Sequence, residues 1–260
     1  MSKVLDSVDA VAGLIDHALL HPMLTSSEVR ADVGALGRFP LASVCVRPSD
    51  VPAMAPVVAE GAIGAVCTVI GFPHGTTSTG AKVAESERAV RDGCRELDMV
   101  CNIARVLGEE WSGVRDDIAA VIEVGRAGGA LVKVIFETDY VTSDAHKVRL
   151  CEICTECGAD FVKTSTGFGF VKGADGRLAS AGATDHDIAL MRQHAGPRVG
   201  VKASGGVRTL DDVVRLHGLG ATRIGASATR AILAEAAERF GDAPGIESPP
   251  SPTAQDATGY

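Results

Sequence analysis

Three of the seven lysines in this 260-residue chain sit inside strand-like apolar runs: Lys133 in Leu-Val-Lys-Val-Ile-Phe, Lys163 in Phe-Val-Lys-Thr-Ser-Thr and Lys202 in Val-Gly-Val-Lys-Ala-Ser. The other cations are mostly arginine, 18 in all. A lysine among apolar neighbours is costly unless its ammonium group has polar company, so three such positions point to a shared polar interior. Clustered ammonium groups repel and burial strips their solvation, which should drive at least one toward the neutral amine near pH 7. A neutral lysine amine attacks aldehydes and ketones, and the Schiff base it forms acidifies the adjacent carbon and yields an enamine. Such chemistry must also move protons. Asp98, in Glu-Leu-Asp-Met-Val, and Asp16, in Leu-Ile-Asp-His-Ala, lie in equivalent runs and are the candidate acid–base groups, with a counter-ion role open to both. The alternative for the lysines is that each carries its charge to a strand end as a structural cation.

Two further stretches suit an anion. Ser204-Gly205-Gly206-Val207-Arg208 and Gly225-Ala226-Ser227-Ala228 each follow an apolar run, and the second opens a helical pattern. Glycines let backbone N–H groups approach a phosphate closely, and a helix N-terminus adds positive potential. Cys45, in Ser-Val-Cys-Val-Arg, is either a cavity-facing thiol or a small buried side chain. Cys151, Cys154 and Cys157 have the repeated three-residue spacing of some iron–sulfur ligands, but a continuous helix over 144–157 would carry them progressively around its circumference. No metal site is expected, and no cofactor. His17, His21 and His74 read as packing or loop residues, since no His/Asp/Glu grouping has zinc-like spacing.

The elements that must position these groups alternate regularly. Strand patterns cover 14–20, 41–46, 65–71, 96–102, 131–138, 161–167, 198–204 and 222–227. Helix starts are signalled by Thr25-x-x-Glu28, Thr184-x-x-Asp187 and Thr209-x-x-Asp212, and stops by Gly37, Gly61, Gly93, Gly128, Gly158, Gly196 and Gly218. Eight strand–helix units in a chain of this length predict an α/β fold, a (β/α)₈ TIM barrel of residues 1–240. An open doubly wound sheet would carry a glycine-rich turn after its first strand, whereas His21-Pro22-Met23-Leu24-Thr25 has no glycine. The stretch from Phe168 to Ala183 reads as an active-site loop, and 241–260, rich in proline, as a flexible tail.

Composition narrows the partners. With 33 Asp+Glu against 25 Lys+Arg the net charge is −8, and no basic block exists to neutralise nucleic acid. No apolar run is long enough for a membrane span, and seven cysteines, an odd number, without a signal sequence indicate reduced thiols and a cytoplasmic protein.

Taken together, Ile15-Asp16-His17, Ser43-Val44-Cys45-Val46, Gly71-Phe72-Pro73, Glu96-Leu97-Asp98-Met99-Val100, the run Phe161 to Phe168 and the run Val201 to Arg208 resemble the deoxyribose-phosphate aldolases, over about Leu14 to Leu233. The resemblance implies a metal-independent class I aldolase that reversibly cleaves 2-deoxy-D-ribose 5-phosphate to acetaldehyde and D-glyceraldehyde 3-phosphate. By motif, Lys163 is implied as the Schiff-base lysine, Lys202 as the cation that lowers its pKa and Asp98 as the proton-transfer carboxylate, with Lys133 and Asp16 in support. Cys45, Thr166, Gly167, Ser204, Gly205, Gly206, Gly225 and Ser227 are implied substrate-binding positions. Some members end in a tyrosine that assists proton transfer, and Tyr260 stands at that place. Ala18 and His21 replace a threonine and a lysine usual in the first strand and its loop, and Ala228 replaces a serine. The expected partners are a phosphorylated sugar and, for assembly, a second copy in a homodimer. The rival readings are a Schiff-base aldolase of transaldolase type, with a ketone donor, and a non-catalytic phosphosugar-binding barrel.

Overall fold

The computed structural model describes residues 4–172 and 176–241. In chain order its strands are β1 (Ile15–Leu19), β2 (Ser43–Val46), β3 (Val66–Ile70), β4 (Glu96–Val100), β5 (Leu131–Ile135), β6 (Phe161–Lys163), β7 (Val171–Lys172), β8 (Leu178–Ala179), β9 (Gly200–Ser204) and β10 (Arg223–Ala226). Eight of them form a closed parallel barrel, in the order β1-β2-β3-β4-β5-β6-β9-β10 and back to β1. Closure excludes the open doubly wound sheet. β7 and β8 pair antiparallel outside it, so the stretch expected as plain loop carries a small ribbon.

The helices are α1 (Val8–Ala12), α2 (Ser26–Leu36), α3 (Val51–Ala59), α4 (Thr79–Arg91), α5 (Ile103–Leu107), α6 (Trp111–Gly128), α7 (Asp144–Cys157), α8 (Asp185–His194), α9 (Leu210–Gly218) and α10 (Thr229–Phe240). Thr25 and Thr209 form full capping boxes with Glu28 and Asp212, and Thr184 accepts from the Asp187 amide, so three starts lie where the sequence signals them. The stop of α6 falls one residue later than expected, because Gly129, with φ of 66°, takes the left-handed cap while Gly128 stays helical.

Alternation along the strands produces two layers. Leu97, Met99, Val132, Val134, Val162, Val201 and Ala203 are buried apolar residues, alternating in sequence with Asp98, Lys133, Lys163 and Lys202, which the barrel also buries. β5 and β6 end at Ile135 and Lys163, short of the expected Thr138 and Gly167. Beyond them Glu137 takes a φ of 57°, which turns the chain out of the ladder.

On α7, Cys151 and Cys154 are buried and Cys157 is half-buried. Among the described residues, three ligand-type atoms lie within 4.8 Å of one another at Cys45, Cys67 and Asp98 and at Asp144, His186 and Asp187, not at this cysteine series. No helix among the described residues is long and apolar enough to cross a membrane. Of the expected tail, Gly241 caps α10; positions 242–260, Tyr260 included, lie outside the described residues.

Behind β4 a fully buried ammonium group supports the barrel. Lys82 on α4 pairs with Asp117 on α6 at 2.5 Å and donates to the Val100 carbonyl at 2.8 Å, two residues past Asp98. Removing one member leaves a buried charge unpaired, so Lys82→Met should lower unfolding free energy by about 3–5 kcal/mol. Urea titration followed by far-ultraviolet circular dichroism measures this, and a loss below about 1 kcal/mol contradicts the supporting role.

Candidate active site

Register decides which lysines reach the cavity. Lys163 is paired with Lys202 across β6 and β9, whereas Lys133 is paired with Asp98 and with Phe161, two residues deeper than Lys163. Lys163 and Lys202 therefore line the cavity at the carboxyl end of the barrel, and Lys133 lies beneath its floor. Of the three lysines expected in a shared polar interior, Lys133 is set apart from the cavity lining by that two-residue offset. They still share one cluster through Asp98.

Asp98 accepts at both oxygens. Its Oδ2 is 2.7 Å from the Nζ of Lys163 and 2.7 Å from that of Lys202, and its Oδ1 is 2.7 Å from Lys133 Nζ and 3.2 Å from the Cys67 thiol. Asp16 is similarly saturated, by Lys202 at 2.5 Å, Arg223 at 2.6 Å and the Ser43 hydroxyl at 2.7 Å. Glu96 completes the group, 2.6 Å from Lys133 and 3.0 Å from Arg223. Burial by itself would raise the carboxyl groups of Asp98 and Asp16. The facing cations outweigh it: Lys133, Lys163 and Lys202 hold Asp98 well below the usual carboxylate range, and Lys133, Lys202 and Arg223 do so for Asp16. Burial likewise disfavours the ammonium forms of Lys133 and Lys202, but Asp16 and Asp98 reverse it and keep both charged. Lys133 faces three carboxylates and Lys202 two, while Lys163, among the described residues, is held by Asp98 and opens to the cavity. Of the three lysines, Lys163 combines a place on the cavity with the fewest carboxylate partners among the described residues.

The cavity measures about 260 Å³. Cys45, Thr166 and Gly167 line it beside Lys163, and Asp16 lines it beside Lys202. Ser204, Gly205, Gly206, Gly225 and Ser227 also line it. Gly205 and Gly206 have φ of 95° and 78°, a turn that side chains resist. At Gly225 space is the constraint, because a β-carbon there would stand 2.8 Å from Ser204 and 3.2 Å from the Lys202 side chain.

Every substrate-contact position expected from the sequence lies on this cavity, and Cys45 is both cavity-facing and buried. Ala18 and His21 also line the wall, His21 at a place expected to be only a loop residue. His17 instead packs behind, Nδ1 to Thr229 at 2.8 Å and Nε2 to Asp32 at 2.8 Å. Asp32 is a cavity residue that no local motif singled out, and Phe168 and Arg208, which end two of the quoted motifs, line the cavity as well. Asp32 lies on α2 and reaches the site only through helix packing, so no neighbour in sequence could have signalled it.

The closed barrel and the lysine–carboxylate floor of its cavity are those of a barrel aldolase. A family model described as DeoC/LacD family aldolase matches residues 10–235, and the chain belongs to that family. It is 44% identical to the deoxyribose-phosphate aldolase of Rhodopirellula baltica over 250 residues, 96% of this chain and 97% of the relative. It is 47% identical to that of Listeria monocytogenes over 223 residues, 86% of this chain and 94% of the relative. Among solved structures, the tetrameric deoxyribose phosphate aldolase of Aeropyrum pernix superposes with a TM-score of 0.77 at 28% identity, covering 88% of this chain and 91% of that one. QR15, an aldolase, gives 0.78 at 36% identity, covering 88% and 96%.

Asp32 also makes the site's support sensitive to acid. Burial would raise its carboxyl group, but His17 and Arg230 bring it down to about 2. A depressed carboxylate contributes stability above its ordinary value of 3.8 and loses it as pH falls toward 2. Asp32→Asn should therefore destabilise the protein at pH 7 and narrow its gap from the parent between pH 4 and 2. Thermal melts across that range check this, and a constant gap contradicts it.

Proposed function

We propose that the protein is a class I aldolase that reversibly cleaves 2-deoxy-D-ribose 5-phosphate to acetaldehyde and D-glyceraldehyde 3-phosphate through a Schiff base on Lys163. The observation that carries the reading is a cavity-facing amine 2.7 Å from a carboxylate oxygen that a second lysine shares. Names borne by relatives of 44–47% identity supply the substrate.

Lys163 Nζ adds to C1 of the open-chain sugar, and loss of water gives the iminium ion. A base removes the C3 hydroxyl proton, the C2–C3 electron pair moves into the iminium, and glyceraldehyde 3-phosphate leaves behind an enamine. Protonation at C2 and hydrolysis release acetaldehyde and restore the amine. The iminium is the electron sink, so these steps call on no metal or cofactor. Protons travel along Lys163 Nζ, Asp98 Oδ2 and Lys202 Nζ, each link 2.7 Å. Asp98, strongly acidic in this setting, carries a proton only in passage. Lys202, held charged by two carboxylates, keeps positive potential beside the amine. Lys133 and Asp16 lock the two central groups in place.

The phosphate is held at the Gly205-Gly206 turn and at Ser227, ahead of α10, by backbone N–H groups and one hydroxyl. Arg208 adds charge to the same cavity. For assembly we take a homodimer as the form to test, beside the tetramer of the Aeropyrum pernix relative. Seven free cysteines favour the cytoplasm as its location.

A coupled assay for glyceraldehyde 3-phosphate should detect cleavage of deoxyribose 5-phosphate, with Lys163→Arg slower by about three orders of magnitude. Acetaldehyde with borohydride should leave a reduced adduct on the peptide that contains Lys163. An adduct on Lys133 or Lys202 overturns the assignment, cleavage of ketose phosphates alone favours a ketone-donor aldolase, and binding without any adduct favours a non-catalytic barrel.

Substituting leucine for Gly206 should raise KM for the phosphorylated sugar about tenfold or more while changing turnover of unphosphorylated deoxyribose little. Equal effects on both substrates would remove the phosphate from that turn.

A further inference from the structure

Glu137 is a buried acid that the steps above do not use. It lies two residues past the end of β5, is 1% exposed, and has a φ of 57°, a left-handed backbone that residues with a β-carbon seldom adopt. Such conformations persist where the surroundings enforce them, and they concentrate at functional sites.

Its surroundings lead to the nucleophile's own strand. Backbone pairing between the fifth and sixth barrel strands runs out with Phe136 N donating to Lys163 O at 2.9 Å and Thr138 N to Thr164 O at 3.2 Å. Beyond that point the Glu137 carboxylate takes over. It accepts from the Thr166 hydroxyl, and the Thr166 amide lies 3.3 and 3.4 Å from its two oxygens. The Thr166 hydroxyl accepts in turn from the Phe168 amide at 2.9 Å. The Phe168 ring meets Phe72 edge-on at 5.0 Å, and Thr166, Gly167 and Phe168 form a wall of the cavity. The next turn is packed against the same group, since a β-carbon at Gly169 would stand 2.8 Å from the Glu137 carboxyl carbon.

Both Thr166 groups donate to the carboxylate, and an ionised carboxylate accepts from them more strongly than a protonated one, which gives up part of its acceptor capacity. We infer that ionised Glu137 is a positioning residue for the aldolase reaction, holding the Thr166–Phe168 wall against Lys163 through the Thr166 hydroxyl. The charged and titratable groups that bear on it are Asp139 on its own loop, Lys163 on β6 and the Cys101 thiol just past β4. Burial, reinforced by Asp139, raises its carboxyl group to about 6 against the opposing Thr166 bonds and Lys163. At pH 7 the carboxylate predominates, and the wall loosens as pH falls through that value.

The inference rests on the proposed cleavage of deoxyribose 5-phosphate. Its test compares kcat and KM for that sugar from pH 5 to 9 in the parent, Glu137→Gln, Thr166→Val, Thr166→Ser and the Glu137→Gln/Thr166→Val double variant. Glu137→Gln should lower kcat/KM about tenfold or more at pH 7.5 and remove an inflection near pH 6 that the parent shows. Thr166→Ser, which keeps the hydroxyl, should lose less kcat/KM than Thr166→Val, and the double variant should be no worse than the weaker single one, because both act through one contact. Glu137→Gln within twofold of the parent at every pH, or losses that multiply in the double variant, overturns the inference. Should Glu137→Gln fail to fold, Thr166→Val against Thr166→Ser decides: a fall with valine and recovery with serine supports it, and parental activity with valine overturns it. If the parent does not cleave deoxyribose 5-phosphate, the substrate reading fails separately. The same variants and criteria then apply to the pH dependence of borohydride trapping with acetaldehyde.

Discussion

A carboxylate oxygen shared by two lysine nitrogens, Asp98 Oδ2 between Lys163 and Lys202, is the contact on which the rest of the barrel depends. Charges taken out of water lose several kcal/mol of solvation each, and only a fully connected set of ion pairs and hydrogen bonds offsets that loss. The set is complete here. Asp98 and Asp16 have partners at all four oxygens, drawn from β3, β5, β6 and β9 for the first and from β2, β5, β9 and β10 for the second. Six strands are thereby joined to β1 and β4 through side chains as well as backbone. The same bonds hold the amine of Lys163 at the cavity surface.

The cluster also accounts for the division of labour among chemically identical side chains. Lys133, Lys163 and Lys202 differ in how many carboxylates they face and whether they meet the cavity. Lys133, deepest and most heavily paired, is a structural cation. Lys202 is a cation at the cavity edge, and Lys163 is the lysine whose amine a carbonyl compound can reach. One substitution in the carboxylate set would therefore disturb fold and chemistry together, which is the usual conflict between stability and function at a charged buried site.

The chemistry is confined to one end of the barrel, and different devices hold the two sides of the cavity. On one side, Gly205 and Gly206 take positive φ angles and Gly225 has no room for a side chain. On the other, where β5 and β6 separate, side-chain bonds from Glu137 replace the lost ladder. Behind both, Asp32 connects α2 to the first turn of α10 through His17 and Arg230. These supports come from segments far apart in sequence.

Local pattern was enough for the eight strands, the three threonine-capped helix starts and the central residues Lys163, Lys202, Asp98, Lys133 and Asp16. Period-two alternation and a charged residue inside an apolar run are both visible within a few positions, because burial acts on each residue through its immediate neighbours. The Gly205-Gly206 turn was legible for the same reason. Tertiary structure alone decided that Lys133 lies below the cavity, since that depends on a two-residue offset between paired strands. It alone brought Asp32 and Arg208 to the wall, and it alone gave Glu137 its role. Asp32 and Glu137 derive their character from contacts made after the barrel closes, with His17, Arg230 and Thr166, and such long-range proximity leaves no mark on the spacing of residues along the chain.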